Sequence, residues 1–245
     1  MVKLEICCAD FHSLLAAYEG GADRVELCCA LSEGGLTPSH AFLELAAEVP
    51  IRKHILIRPR TGDFVYSKEE IRLMEHDIRF AHKAGADAIV VGALKNDGNV
   101  DKEAMRRLID AADGLPITFH RAFDVCSCIN SAVDAVVELG CASVLTSGMM
   151  PSAEEGERVL SMFQKIAGDR FEVIAAAGIS PKNVERIIRN TGVRAVHASA
   201  SMIVPNSKTL PGLCKLEGST AVREESRRTT SLETVKELRR IISTL

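Results

Sequence analysis

KLEICC at Lys3–Cys8 and DRVELCC at Asp23–Cys29 decide the fold. In each, apolar residues alternate with a glutamate and a cysteine, the period of two expected of a β-strand whose faces meet different surroundings. Leu4 and Ile6 share one face and Glu5 and Cys7 the other; Val25 and Leu27 share one face and Glu26 and Cys28 the other. Six further strand-like runs follow, KHILIRP (53–59), AIVVGA (88–93), PITFHRA (116–122), SVLTSG (143–148), EVIAAAG (172–178) and RAVHASA (194–200).

Stretches with helical periodicity separate these runs. FHSLLAAYEGGAD stops at Gly20-Gly21, and TPSHAFLELAAEV is expected to start with Thr37 as N-cap and Pro38 in the first turn. Capping boxes are expected at Ser67/Glu70 and at Thr230/Glu233. Eight strands alternating with eight helices over 245 residues predict an α/β fold, a single-domain (β/α)8 TIM barrel spanning residues 1–245. A doubly wound open sheet is the alternative. Residues from about 201 to 229 lack periodicity and follow strand eight, so a long irregular segment is expected at the barrel mouth, as a lid or an oligomer contact.

Composition narrows the function classes. The formal net charge is -3, with 30 basic and 33 acidic residues interleaved and 4% aromatics, which disfavours nucleic acid as a partner. MVKLEICCAD has no apolar signal-peptide core and no uncharged run reaches membrane-spanning length, so a cytoplasmic protein without a membrane partner is expected. The eight cysteines (7, 8, 28, 29, 126, 128, 141, 214) are then thiols, since a reducing compartment disfavours disulfides.

In a barrel the apolar face of each strand packs outward against helices, and the other face points to the axis. That rule turns Glu5, Cys7, Glu26, Cys28, Arg58, Arg60, His120, His197 and Ser199 inward. A structural barrel core is filled with Val, Ile and Leu, and isolated buried charge is costly, so converging polar groups mark a functional site. A packing layer of salt bridges, Glu5 or Glu26 with Arg58, is the competing explanation. His12, His40, His54, His76 and His82 fall in helices or at strand starts and read as surface or packing residues.

GGADRVELC, LSEGGLTPS, IRPRTGDFVYS, TFHRAFD, VLTSG and VHASA, in this order along the chain, resemble the CutC family of copper homeostasis proteins. The resemblance implies a cytosolic (β/α)8 barrel, a homo-oligomer, and a link to copper. AAAGIS at strand seven departs from the family's Gly-rich GGGI-like turn, which weakens the expectation of a phosphate cradle there.

Two chemistries follow. Cys7 and Cys28, on adjacent inward faces, are candidate metal ligands for copper as Cu(I), because soft thiolates select it; the alternative is two small buried hydrophobes. Cys126 and Cys128 form a Cys-x-Cys spacing, a weak signal by itself. The other chemistry is an enzyme acting on a small carboxylate- or phosphate-bearing metabolite. Glu5 or Glu26 would be its general base, His120 the acid, and His197 has the same claim from the opposite side. Arg58 and Arg60 would hold the anion, with Arg121, Asp124, Thr146, Ser147, Gly178 and Ser199 as further binding residues. No lysine is expected inward at a strand end, which argues against Schiff-base chemistry.

Overall fold

The computed structural model describes residues 2–205 and 226–245. Strands β1 (Lys3–Cys8), β2 (Arg24–Leu27), β3 (Arg52–Leu56), β4 (Ala88–Val91), β5 (Ile117–Phe119), β6 (Ser143–Thr146), β7 (Glu172–Ala175) and β8 (Ala195–Ala198) are parallel. They close into a barrel in chain order, with β8 hydrogen-bonded back to β1. The chain is therefore a (β/α)8 barrel and not an open sheet.

The driving force is the outward strand face. Leu4, Ile6, Val25, Leu27, Ile55, Ile57, Ile117, Phe119 and Val196 are all buried in one continuous core with helix residues such as Leu14, Met74, Ile78 and Leu238. Burying each of these side chains is worth about 1.5–3 kcal/mol. The helices are α1 (Phe11–Glu19), α2 (His40–Ala46), α3 (Lys68–Lys83), α4 (Lys102–Ala111), α5 (Ile129–Glu138), α6 (Glu157–Ala167), α7 (Val184–Thr191) and α8 (Leu232–Ile242).

Local chemistry sets the helix starts. The capping box at Ser67 and Glu70 forms as expected. The other two expected caps do not. The Thr37 hydroxyl accepts from the Arg58 amide at 2.9 Å and donates to the Arg58 carbonyl at 3.1 Å, so it ties its loop to the end of β3. Ser39 caps α2 instead, accepting from the Phe42 amide. Thr230 is the last residue of a strand, and Ser231 caps α8.

That strand belongs to a hairpin. β9 (Ser201–Pro205) and β10 (Ser226–Thr230) pair antiparallel, so the ends of the stretch expected to be irregular are ordered by main-chain hydrogen bonds. The Thr230 amide donates to Ser13 Oγ of α1 at 3.0 Å, which anchors β10 to the barrel. Residues 206–225, and with them Cys214 and most of the expected lid or oligomer contact, lie outside the described residues. No described helix is long and apolar enough to cross a membrane.

Candidate functional site

Register brings the polar residues together. Pairing β1 with both neighbours sets Glu5 between Arg24 on β2 and His197 on β8, and sets Cys7 beside Glu26. Pairing β2 with β3 places Glu26 beside His54. Because each strand sends alternate side chains inward, these neighbours share the barrel interior.

Glu5 is the hub of the deeper layer. Its carboxylate accepts from Arg24 Nε at 2.5 Å and contacts His197 Nδ1 at 2.7 Å, while His54 Nδ1 stands 3.3 Å away without hydrogen-bond geometry. Burial alone would raise the Glu5 carboxyl, but Arg24 and the two histidines outweigh it and hold it well below the usual carboxylate range. Arg24 also donates to Glu172 at 2.7 Å. The interior salt bridge expected between Glu5 or Glu26 and Arg58 is therefore made by Arg24, at the opposite end of the barrel. Arg24 and His54 were missed as interior residues, although alternation with Glu26 and Leu56 marks both.

Above Glu5, toward the C-terminal strand ends, donor atoms of Cys7, Glu26 and His197 all lie within 4.8 Å of one another. Cys7 Sγ is 3.6 Å from Glu26 Oε2 and 3.5 Å from Cys28 Sγ. The Cys28 thiol, and then burial, push the Cys7 thiol well up. Burial raises Glu26, with Glu5 adding to it and His197 opposing. Burial would lower His197, but Glu26 and Glu5 hold it above the usual histidine value. Cys28 is fully buried behind Cys7, against Leu56 and Val90.

These groups form one wall of a cavity of about 320 Å³, which Arg58, Phe64, His120, Arg121, Gly178 and Ser199 complete. Since β5 stands across the barrel from β1, His120 faces the Cys7 side. Burial, followed by the Arg58 charge, lowers the His120 imidazole to about 3, so it is neutral near pH 7. Its Nδ1 accepts from the Ala122 amide at 3.1 Å, which leaves the proton on Nε2. His120 thus presents a neutral Nε2–H donor near pH 7 and not a charged imidazolium.

Several candidates lie elsewhere. Arg60 turns away, donating to Glu70 at 2.5 Å and to the Val65 carbonyl at 2.8 Å, with its guanidinium over the Tyr66 ring. Arg58 alone remains of the expected fork. Asp124 accepts from the Thr146 hydroxyl at 2.5 Å, the Ser147 amide at 3.0 Å and Arg121 Nε at 2.8 Å. Thr146 and Ser147 are fully buried in that network, so they brace the loop that carries Arg121 and do not line the cavity. Cys126 is buried and bonded to the Ala122 carbonyl, whereas Cys128 is exposed at the start of α5. That spacing makes no shared site.

A departure from the family pattern has a visible backbone cost. In the cavity wall, Ala177 adopts φ 72° and Gly178 φ 77°. Left-handed φ costs an L-residue about 1–2 kcal/mol, and glycine nothing.

Comparison with known proteins agrees with the motifs. A profile of the CutC family matches residues 2–202. A protein named family protein CutC from Bacteroides fragilis is 39% identical over 236 residues, 95% of this chain and 94% of its own. One of the same name from Aliivibrio fischeri is 42% identical over 212 residues, 85% of this chain and 86% of its own. A crystal structure from Streptococcus agalactiae, bearing the name copper homeostasis protein CutC, superposes with a TM-score of 0.78 at 34% identity, covering 81% of this chain and 99% of that one. Phosphoribosylanthranilate isomerase from Thermotoga maritima, at 15% identity and a TM-score of 0.57, shares the barrel fold alone. Profile, relatives and superposition, together with the inward residues of the six motifs, establish that the chain belongs to the CutC family.

Proposed function

We propose that this protein binds copper as Cu(I) on the Cys7 wall of the cavity. The observation that carries this reading is the donor cluster: Cys7, Glu26 and His197 within 4.8 Å of one another, and a second sulfur, Cys28, 3.5 Å from Cys7. Thiolates and imidazole suit copper, and a tetrahedral ion with metal–sulfur bonds of about 2.3 Å spans sulfurs roughly 3.8 Å apart, close to the spacing present. The name of the Streptococcus agalactiae neighbour supports the choice of copper. Ligation must displace the thiol protons, so affinity should rise with pH. A single-domain, cytoplasmic, homo-oligomeric protein is part of the proposal. Titrating reduced protein against a Cu(I) chelator should give about one ion per chain, lost in the Cys7→Ser, Cys28→Ser double variant. Unchanged affinity in that variant would overturn the assignment.

The cavity itself favours a second reading, an enzyme acting on a small anionic metabolite. Glu26 is then the base, since Glu5 is committed to Arg24 and His197, and His197 relays the proton. Thermal-shift screening against small anions separates the two. Stabilisation that survives the double serine variant supports the enzyme, and no stabilisation by any anion counts against it.

A further inference from the structure

Arg58 poses a charge problem. It is 7% exposed, and among the described residues it makes no ion pair. Its guanidinium donates only to backbone carbonyls, those of Glu33 at 2.9 Å, Gly35 at 3.1 Å and Gly62 at 2.9 Å, and lies over the Phe64 ring at 5.1 Å. Carbonyls and a ring face solvate a cation without neutralising it, and an uncompensated buried charge is costly. Among the described residues its Nε–H has no partner.

His120, on the same cavity wall, repeats the pattern. It is 4% exposed, its Nδ1 is occupied by the Ala122 amide, and its Nε2 is buried without a partner among the described residues. A Cβ at Gly92 would stand 2.7 Å from His120 Nδ1, so the ring is seated directly on the backbone just past β4, and Phe64 packs 4.9 Å from its centroid. A buried donor left without an acceptor forfeits its hydration with nothing in return. Two such donors, beside one unneutralised positive charge, describe a missing acceptor with one negative charge.

We propose that Arg58 and His120 form a subsite for the carboxylate of a small organic acid, which enters as the two side chains shift to open their buried N–H groups to the cavity, one oxygen then accepting from Arg58 Nε–H and the other from His120 Nε2–H. The other cationic side chain of this wall, Arg121, is already paired with Asp124 at 2.8 Å, so the wall lacks a single negative charge. A monoanionic carboxylate supplies it, whereas a phosphate dianion would leave one charge unmatched. Across the cavity the remainder of the molecule meets Cys7, Glu26 and His197, which places its reactive carbon at the acid–base groups. The subsite names the ligand class for the enzyme reading and rests on that reading, not on copper.

The test uses unmutated, chelator-treated protein. Long-range proton–nitrogen spectra of labelled histidines should show His120 as the neutral Nε2–H tautomer, and pyruvate or lactate added at millimolar concentration should shift its Nε2 signal saturably. Arg58→Lys, which keeps the charge but loses the Nε–H, should weaken that binding roughly ten- to a hundredfold. The native spectra decide the matter if that variant does not fold. A carboxylate that stabilises the protein without moving the His120 signal overturns the subsite and leaves the enzyme reading standing. A saturable response to inorganic phosphate at lower concentration than to either carboxylate overturns the ligand class.

Discussion

Replacing Arg24 by methionine tests the deep layer of the barrel. The side chains of Arg24 and Glu5 are 6% and 2% exposed, and a 2.5 Å ion pair joins them. Methionine preserves most of the apolar stem and removes the charge, leaving Glu5 buried with two histidines. Breaking a buried pair costs about 3–5 kcal/mol. The lower end applies here, because His197 still pairs with Glu5 at 2.7 Å and Glu172, being partly exposed, regains water when Arg24 is lost. A loss of about 3 kcal/mol, with a urea slope of roughly 3 kcal/mol per molar, lowers the midpoint of unfolding by about 1 M. The pH dependence supplies a second check. Glu5 has a depressed folded pKa, so its stabilisation is complete above the ordinary carboxylate value of about 4.3 and is lost as pH falls through the folded value. The difference between wild type and variant should therefore be full at pH 6–7 and shrink below about pH 4.3. A loss under about 1 kcal/mol at pH 7, or one that stays constant down to pH 3.5, would refute the claim that Arg24 keeps Glu5 ionised.

Other expectations follow from single contacts. Gly92→Ala forces a methyl to within 2.7 Å of His120 Nδ1; it should destabilise the chain by about 1–3 kcal/mol by urea unfolding and displace the His120 signal even without ligand. Ala177→Gly relieves a φ of 72° and should stabilise the protein by about 0.5–1 kcal/mol in the same assay, after the entropy cost of glycine is subtracted. Among the described cysteines, Cys128 should be alkylated first by iodoacetamide, as read by peptide mass spectrometry. It is exposed, and neighbouring groups at the start of α5 lower its thiol, whereas burial pushes Cys126 up to about 11 and Cys141 to about 12. Arg60→Ala should leave carboxylate binding within about twofold by titration, since that side chain is spent on Glu70 and nearby carbonyls outside the cavity.

The barrel and the direction of its polar residues were legible in the chain because both depend on short-range periodicity. An apolar side chain at every second position must face the helix layer, so Leu4 and Ile6 turned Glu5 and Cys7 inward, and Ile117 and Phe119 did the same for His120. Glu26, Arg58, His120 and His197 accordingly line one cavity, while Glu5, bonded to His197, is not among the residues that line it. Alternation loses authority where a strand ends. β3 stops at Leu56, and four residues later Arg60 has left the axis for Glu70. Partner choice lay beyond the sequence as well. Strand register matched Glu5 with Arg24 and not with Arg58, and the fold of the loops after β5 and β6 drew Thr146 and Ser147 to Asp124. The chemical state of His120 was the least visible of all. Whether an imidazole gains or loses a proton depends on what surrounds it in space, and only the folded chain sets that ring beside the Arg58 cation, against the Ala122 amide and out of water.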